Sequence, residues 1–305
     1  WRRMRNSYTA LVAELMLQQT RVEAVKERYV QFLEAFPTPE ALAEASEEEV
    51  LKLWEGLGYY SRARNLHRAA KVIAEHGFPQ TFEGVRALPG VGDYTAGAVC
   101  SIALGLPAPA VDGNGLRVLS RLYADDSNID DAATKPAYAA LLREVYPADT
   151  ADFCEALMEL GAIVCVPNGA PLCGECPWKT LCRAHLSGME DAYPVRKEKK
   201  ARRIVEATVC VLKCGEKYAL EKRPEKGLLA GLWQFPFFEG DVPDFGKPIA
   251  EKHAKHIFTH VEWRMTGKRI DVCEELPPYT WVTAQELREK YAVPSAFKAF
   301  LPWIK

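Results

Sequence analysis

Four cysteines crowd into 18 residues as Cys165-x7-Cys173-x2-Cys176-x5-Cys182. Thiolates are soft donors, and four on one short loop can surround a single metal centre. The set suits either zinc or an iron–sulfur cluster. Two close pairs across a long gap would favour a zinc ribbon, and this spacing is different. Two carboxylates stand in contrasting settings. Asp112, in Val111-Asp112-Gly113-Asn114, comes just before an expected helix with Asn114 as its N-cap; a positive helix end keeps a carboxylate ionised. Glu14 sits beside Leu15, Met16 and Leu17 inside a helix. If that face lines an apolar pocket, desolvation favours its protonated form. A carboxyl that holds a proton beside one that does not is the pairing of a general acid with an electrostatic partner. In Leu88-Pro89-Gly90-Val91-Gly92-Asp93-Tyr94-Thr95-Ala96 a Gly-x-Gly turn leads into a helix. Gly90, Val91 and Gly92 would offer backbone N–H groups to a phosphate without reading sequence.

These residues need a scaffold of helices. Tyr8, Leu11, Val12 and Leu15 form an apolar stripe that Ser7 could cap. Further helices are expected around 22–35, 47–54, 61–76, 94–104, 115–123, 135–145 and 151–164, with short Gly or Pro turns between most of them. No strand-like alternation precedes residue 204. Residues 186–203 are polar and basic and read as a linker. Strand-like pieces follow at Ile204–Leu212, Tyr218–Lys222, Leu232–Phe238, Val261–Thr266 and Arg269–Cys273, with a helix at Thr283–Lys290. The expected fold class is mainly α to about residue 185, followed by a smaller α+β domain at 204–305.

Hydrophobic residues make up 48% and charged residues 26% of the 305, the balance of a globular protein. No apolar run approaches the ~20 residues of a membrane span, so no membrane partner is expected. No signal peptide pattern is present. The chain starts at Trp1 without a Met, which leads us to expect residues upstream. Nine cysteines without a secretion signal suggest a reducing compartment. Cys100, Cys154, Cys210, Cys214 and Cys273 read as small apolar residues. A net charge of -2 argues weakly against a polyanion partner. Two basic clusters offset it: Arg62, Arg64, Arg68 and Lys71, and Arg196, Lys197, Lys199, Lys200, Arg202 and Arg203.

Ala13-Glu14-Leu15-Met16-Leu17-Gln18-Gln19-Thr20 resembles the first active-site helix of the MutY-type adenine DNA glycosylases, in the helix-hairpin-helix, endonuclease III superfamily. Trp54-Glu55-Gly56-Leu57-Gly58-Tyr59-Tyr60-Ser61-Arg62 resembles another of their motifs. With the hairpin, the Val-Asp-Gly-Asn segment and the four cysteines, the likeness runs from residue 1 to about 185. It implies a helix-hairpin-helix glycosylase domain with an iron–sulfur loop, in which Cys165, Cys173, Cys176 and Cys182 hold a structural 4Fe-4S cluster and keep Lys179 and Arg183 near DNA. The family usually has six residues in the first gap; this chain has seven, in a Pro/Gly loop. Glu14 matches the acid that protonates adenine, Asp112 the residue that stabilises the oxocarbenium-like sugar, and Tyr94 and Asn114 their neighbours. Trp1, Arg2 and Glu155 fall where that family lines its adenine pocket. Gln19, Leu57 and Tyr59 match residues that wedge into the duplex, and Thr20 one that touches the opposing base. The C-terminal part resembles the family's Nudix-like recognition domain, most clearly in Gly227-Leu228-Leu229-Ala230-Gly231-Leu232-Trp233-Gln234-Phe235-Pro236. His256-Ile257-Phe258-Thr259-His260 resembles the loop that senses 8-oxoguanine, with Thr259 where Ser is frequent. No Glu/Arg pattern of a nucleotide hydrolase is present.

The implied reaction is monofunctional hydrolysis of the N-glycosidic bond of adenine paired with 8-oxoguanine or guanine in double-stranded DNA. The implied state is a monomer, cytoplasmic at the nucleoid in a bacterium or nuclear in a eukaryote. The main alternative is an endonuclease III-like glycosylase/lyase for oxidised pyrimidines. It needs an amine nucleophile, and the relative's Lys after the hairpin is Tyr94 here. A non-catalytic DNA-binding module with a structural metal is a third reading, under which nothing depends on Glu14.

Overall fold

The computed structural model describes residues 5–198 and 201–305. Trp1 and Arg2, expected in the adenine pocket, lie outside the described residues, as do Lys199 and Lys200 of the basic run. The fold class is the expected one: helices first, then a mixed sheet.

Helix α1 (Ser7–Leu17) is apolar on nearly every face, and Tyr8 through Met16 are all buried. Such a helix belongs inside a core rather than on its surface. Its N-cap is Asn6, whose side chain accepts from the Thr9 N–H at 2.9 Å. Ser7, expected as the cap, is already in the first helical turn. In α2 (Val22–Ala35), the Tyr29 hydroxyl donates to the Thr9 carbonyl at 3.2 Å, and Phe32 is fully buried. There follow α3 (Pro39–Glu44), α4 (Glu47–Leu53), α5 (Ser61–His76), α6 (Phe82–Arg86), α7 (Asp93–Ala103), α8 (Gly113–Tyr123), α9 (Thr134–Glu144), α10 (Thr150–Glu159), a π turn over Leu160–Val164 and α11 (Arg183–Leu186). The sequence did not announce α3 and α6. Each is short and buries one apolar residue, Leu42 or Val85, too few to form a period.

The chain divides into two compact units. The first comprises Trp1–Ala43 and Asn65–Lys199; the second comprises Glu44–Arg64 and Lys200–Lys305. In the first, α7 is central, packed by α1, α6 and α10, while α8 packs on the π turn and on α11.

The second unit holds β1 (Arg203–Cys214), β2 (Lys217–Lys222), β3 (Trp233–Gln234), β4 (Phe237–Phe238), β5 (Ala250–Ile257), β6 (Val261–Asp271), β7 (Thr280–Thr283) and α12 (Ala284–Lys290). The main strand order is β3-β2-β1-β6-β5, with β4 also on β1 and β7 on β2. The β1–β6 pair is parallel, from Arg203↔Val261 to Lys213↔Asp271, and the other pairs are antiparallel. Val205, Val209, Val211, Trp263 and Met265 meet Phe235, Phe297 and Phe300 in its core. The two strands expected at 261–266 and 269–273 are one strand. Gly267 does not break it but makes room for the Phe300 ring, which a Cβ there would meet at 2.1 Å. Strand β5 was missed because it is a sheet edge: Glu251, Lys252, His253 and Lys255 are exposed, so no apolar alternation survives. Charged edge residues also discourage pairing with other chains.

Candidate active site

Glu14 lies on the buried length of α1, 3% exposed. Tyr94, the second residue of α7, donates its hydroxyl to Glu14 Oε2 at 2.8 Å. The packing of α1 on α7 makes this contact, and Gln18 beside it donates from Nε2 to Thr95 Oγ1 at 3.0 Å. Burial raises the Tyr94 phenol well above its ordinary pKa, and the charges of Glu14 and Asp112 push the same way. The hydroxyl therefore stays protonated and can donate to an ionised Glu14 or accept from a protonated one.

Asp112 is itself the N-cap of α8, correcting the expectation that Asn114 would cap it. Its Oδ1 accepts from the Gly115 N–H at 2.8 Å, and its Oδ2 from Asn114 Nδ2 at 3.1 Å. Both carboxylate oxygens are thus fixed at a positive helix end. Asn114 is held in turn by Arg117 Nη2, 2.9 Å from its Oδ1. Arg117, 4% exposed, also donates to the Gly161 carbonyl at 2.6 Å and to the Cys165 carbonyl at 2.7 Å. Gly161 must lack a side chain, since a Cβ there would lie 2.6 Å from Asn114 Cβ. Glu155, on α10, is buried and bonded to Arg5.

The hairpin is the turn from α6 to α7. Gly90 has φ +77°, and a Cβ on it would strike Asn65. Gly92, the N-cap of α7, is exposed with open space around it, and no side chain caps the helix. An anion can therefore reach the Gly92 amide. Val91 is buried as the turn's anchor, and Arg86 pairs with Asp93 across it.

The wedge candidates differ. Gln19, just past α1, is exposed with φ +55°, and Thr20 closes that turn through its N–H to the Leu17 carbonyl. Tyr59 has φ +46° and is 47% exposed. Positive φ at a non-glycine residue is uncommon and concentrates at functional sites. Leu57, also expected as a wedge, is 5% exposed and would have to swing outward to touch a duplex. Arg62, expected in a basic cluster, is buried under this loop. It donates to the carbonyls of Leu57, Gly58 and Tyr59 and lies over the Trp54 and Tyr59 rings. Burial lowers its pKa to about 10. Of that cluster, Arg68 and Lys71 are exposed.

Phe258, Thr259 and His260 form the tip of the β5–β6 hairpin, closed by the Phe258 N–H to the Val261 carbonyl at 2.8 Å. Phe258 packs edge-on against Trp263, and Thr259 and His260 are exposed. Within the second unit Thr259 Oγ1 lies 2.9 Å from the Tyr59 hydroxyl. The two expected DNA-reading segments therefore meet, although 200 residues separate them.

All nine cysteines are free thiols. Cys165, Cys173, Cys176 and Cys182 line one cavity of about 30 Å³ with Arg121, Trp178, Lys179, His185 and Glu190. Arg121 Nη1 donates to Cys165 Sγ at 3.4 Å, and the Cys182 thiol donates to the Arg121 carbonyl at 3.4 Å. Ligand atoms of Cys173, His185 and Glu190 lie within 4.8 Å of one another. Burial, Glu190 and the neighbouring thiols push the Cys173 thiol up to about 11, and burial raises Cys176 as well. Four soft sulfur donors gathered on one cavity suit a cationic thiophilic centre, so the donor set fits a metal or cluster. Sequence reading missed Arg117 and Arg121, and placed Arg62 in a basic cluster rather than under the loop. Arg117 and Arg121 are four apart on one helical face, but nothing local reveals that they point inward.

Residues 12–147 match the HhH-GPD superfamily of base excision DNA repair proteins, and residues 207–303 match a NUDIX domain. The adenine DNA glycosylase of Homo sapiens is 34% identical over 96% of this chain and 67% of its own length. That of Arabidopsis thaliana is 38% identical over 76% of this chain and 42% of its own length. Among solved structures, a non-covalent endonuclease III–DNA complex superposes with a TM-score of 0.52 at 27% identity, covering 61% of this chain and 86% of that one.

Proposed function

The chain belongs to the adenine DNA glycosylase family of the HhH-GPD base excision repair superfamily, and from that membership we propose that it hydrolyses the N-glycosidic bond of adenine opposite 8-oxoguanine or guanine in double-stranded DNA. The observation that carries this is the pairing of a buried Glu14, bonded to Tyr94, with an Asp112 fixed by two donors at a helix end. The target nucleotide leaves the helix before reaction. Glu14 donates a proton to a ring nitrogen of the extruded base, which makes adenine a competent leaving group. As the C1′–N9 bond lengthens, the sugar gains cationic character, and Asp112 faces it with a charge that needs no reorganisation. Water adds at C1′, with or without a brief Asp112 adduct. Gln19 and Tyr59 fill or wedge the vacated stack. The Val91 N–H is taken by the Leu88 carbonyl, so the exposed Gly92 amide at the start of α7 holds a phosphate, and the Phe258–His260 tip with Tyr59 reads the base opposite adenine.

Cys165, Cys173, Cys176 and Cys182 would hold a 4Fe-4S cluster, whose contribution is structural. Arg121 and Arg117 tie that loop to α8 and to Asn114.

The lyase reading has one observation in its favour. Lys135 Nζ stands 6.0 Å from the Tyr94 ring centroid and is an amine at the edge of the site. One experiment separates the readings: base release from duplexes holding adenine opposite 8-oxoguanine, adenine opposite guanine, or thymine glycol, for wild type and Glu14→Gln, with borohydride trapping in parallel. Adenine release abolished by the substitution, without a trapped adduct, is the expected result. Strand cleavage at thymine glycol with a borohydride-trapped complex would establish the lyase instead, and adenine release untouched by Glu14→Gln would remove the acid role.

A further inference from the structure

Arg5 lies just ahead of α1, and its single Nη2 donates to two carboxylates on α10: Asp152 Oδ1 at 2.5 Å and Glu155 Oε2 at 2.6 Å. The two partners differ. The Asp152 side chain is 63% exposed and that of Glu155 only 11%. An exposed carboxylate gains little from a guanidinium, because water already solvates it. A covered one is costly to leave uncompensated. The pair therefore matters at Glu155. That residue directly follows Cys154 and is one turn from Met158, whose Sδ lies 3.7 Å from the Tyr94 hydroxyl oxygen. Residues three apart share a helix face, so Glu155 stands on the wall that carries the Glu14–Tyr94 pair.

We propose that Arg5 is a specificity-positioning residue. By gripping Glu155 Oε2 it fixes the carboxylate plane, so that the carboxylate accepts a hydrogen bond from the exocyclic amino group of the extruded base. An ionised carboxylate only accepts, and it has lone pairs for donors besides Arg5. An amino group at the base's six-position donates to it; a carbonyl there repels it, and a bare C–H adds no bond. Arg5 never touches the base. It acts through Glu155, and the inference rests on the reading of Glu155 as part of the adenine pocket.

The test measures single-turnover base release by the full chain from duplexes carrying adenine or purine, which has the same rings without the amino group, opposite 8-oxoguanine. Arg5→Gln should slow adenine release about 10- to 100-fold, the loss of one hydrogen bond to a charged group, while purine release changes less than about threefold. Arg5→Lys should recover most of the adenine rate. Glu155→Gln should compress the adenine-to-purine ratio similarly, and Arg5→Gln should add little to it in the double variant. Equal losses on both bases would reduce Arg5 to a structural tie and overturn the proposal, as would multiplicative effects of the two substitutions. If Glu155→Gln leaves the ratio unchanged, the pocket reading of Glu155 falls first. Should Arg5→Gln not fold, Asp152→Asn decides: freeing Nη2 for Glu155 alone should hold the ratio at or above wild type, and a fall would refute the inference.

Discussion

Replacing Arg117 by Met tests whether the cysteine loop and the Asp112 carboxylate are mechanically joined. The side chain keeps its approximate length and loses its three donated bonds, to Asn114 Oδ1, the Gly161 carbonyl and the Cys165 carbonyl. Two backbone carbonyls and Asn114 Oδ1 then each lose a partner, at about 1–2 kcal/mol apiece. Relief of the buried guanidinium, whose pKa is lowered chiefly by burial, offsets part of this. A net loss of roughly 2–4 kcal/mol remains, and at roughly 2–4 °C per kcal/mol for a unit of this size the helical unit should melt about 4–16 °C lower. Asn114 retains its bond to Asp112 but no longer has its other side fixed. Adenine release should therefore fall more than the folded fraction accounts for. The assay pairs calorimetry with single-turnover base release below the melting range, and iron content per chain is measured on the same samples. Arg117→Lys keeps the charge without the fork and should fall between the two. A melting temperature within about 2 °C of wild type, with an unchanged rate, would refute the reasoning.

Removing the Tyr59–Thr259 bond by Tyr59→Phe or Thr259→Val should leave the melting temperature nearly unchanged, since both groups are exposed. The rate preference for 8-oxoguanine over guanine opposite adenine should shrink, and an unchanged preference in both variants would sever the link between the two segments. The hairpin tip should also sense pH. Burial lowers the His256 pKa below its ordinary value, and the ring packs edge-on against Phe258 at 4.6 Å. The unfolded chain thus binds a proton that the folded one resists. This contribution to stability is fully present above about pH 6.5, the unfolded value, and is lost as pH falls toward the depressed folded value. Melting of the second unit followed from pH 7.5 to 5 should show that decline, and His256→Phe should flatten it.

Much of the candidate site was legible in order along the chain. Gly90-Val91-Gly92, the four-cysteine spacing and the apolar neighbours of Glu14 are signals confined to a few residues, because turns, metal loops and helix faces are local geometry. Helices from 22–35 to 151–164 were legible for the same reason: each buries a repeating face. Which side chains turn inward, and which distant groups they meet, was not. Asp112 holds the cap position expected of Asn114, whose side chain bonds Asp112 and Arg117 instead. Arg62 looked like a surface charge and is a buried brace, and Leu57 looked like a wedge and is covered. Strand β5 carried no period because an edge strand needs none. Sequence alone determined which chemical groups are present and on which kind of element; tertiary structure decided which of them touch. The bonds from Tyr94 to Glu14, Tyr59 to Thr259, Arg5 to Glu155 and Arg117 to Cys165 close separations of 80, 200, 150 and 48 residues. A polar group taken from water must find a partner wherever packing puts one, and packing is set by the whole chain at once.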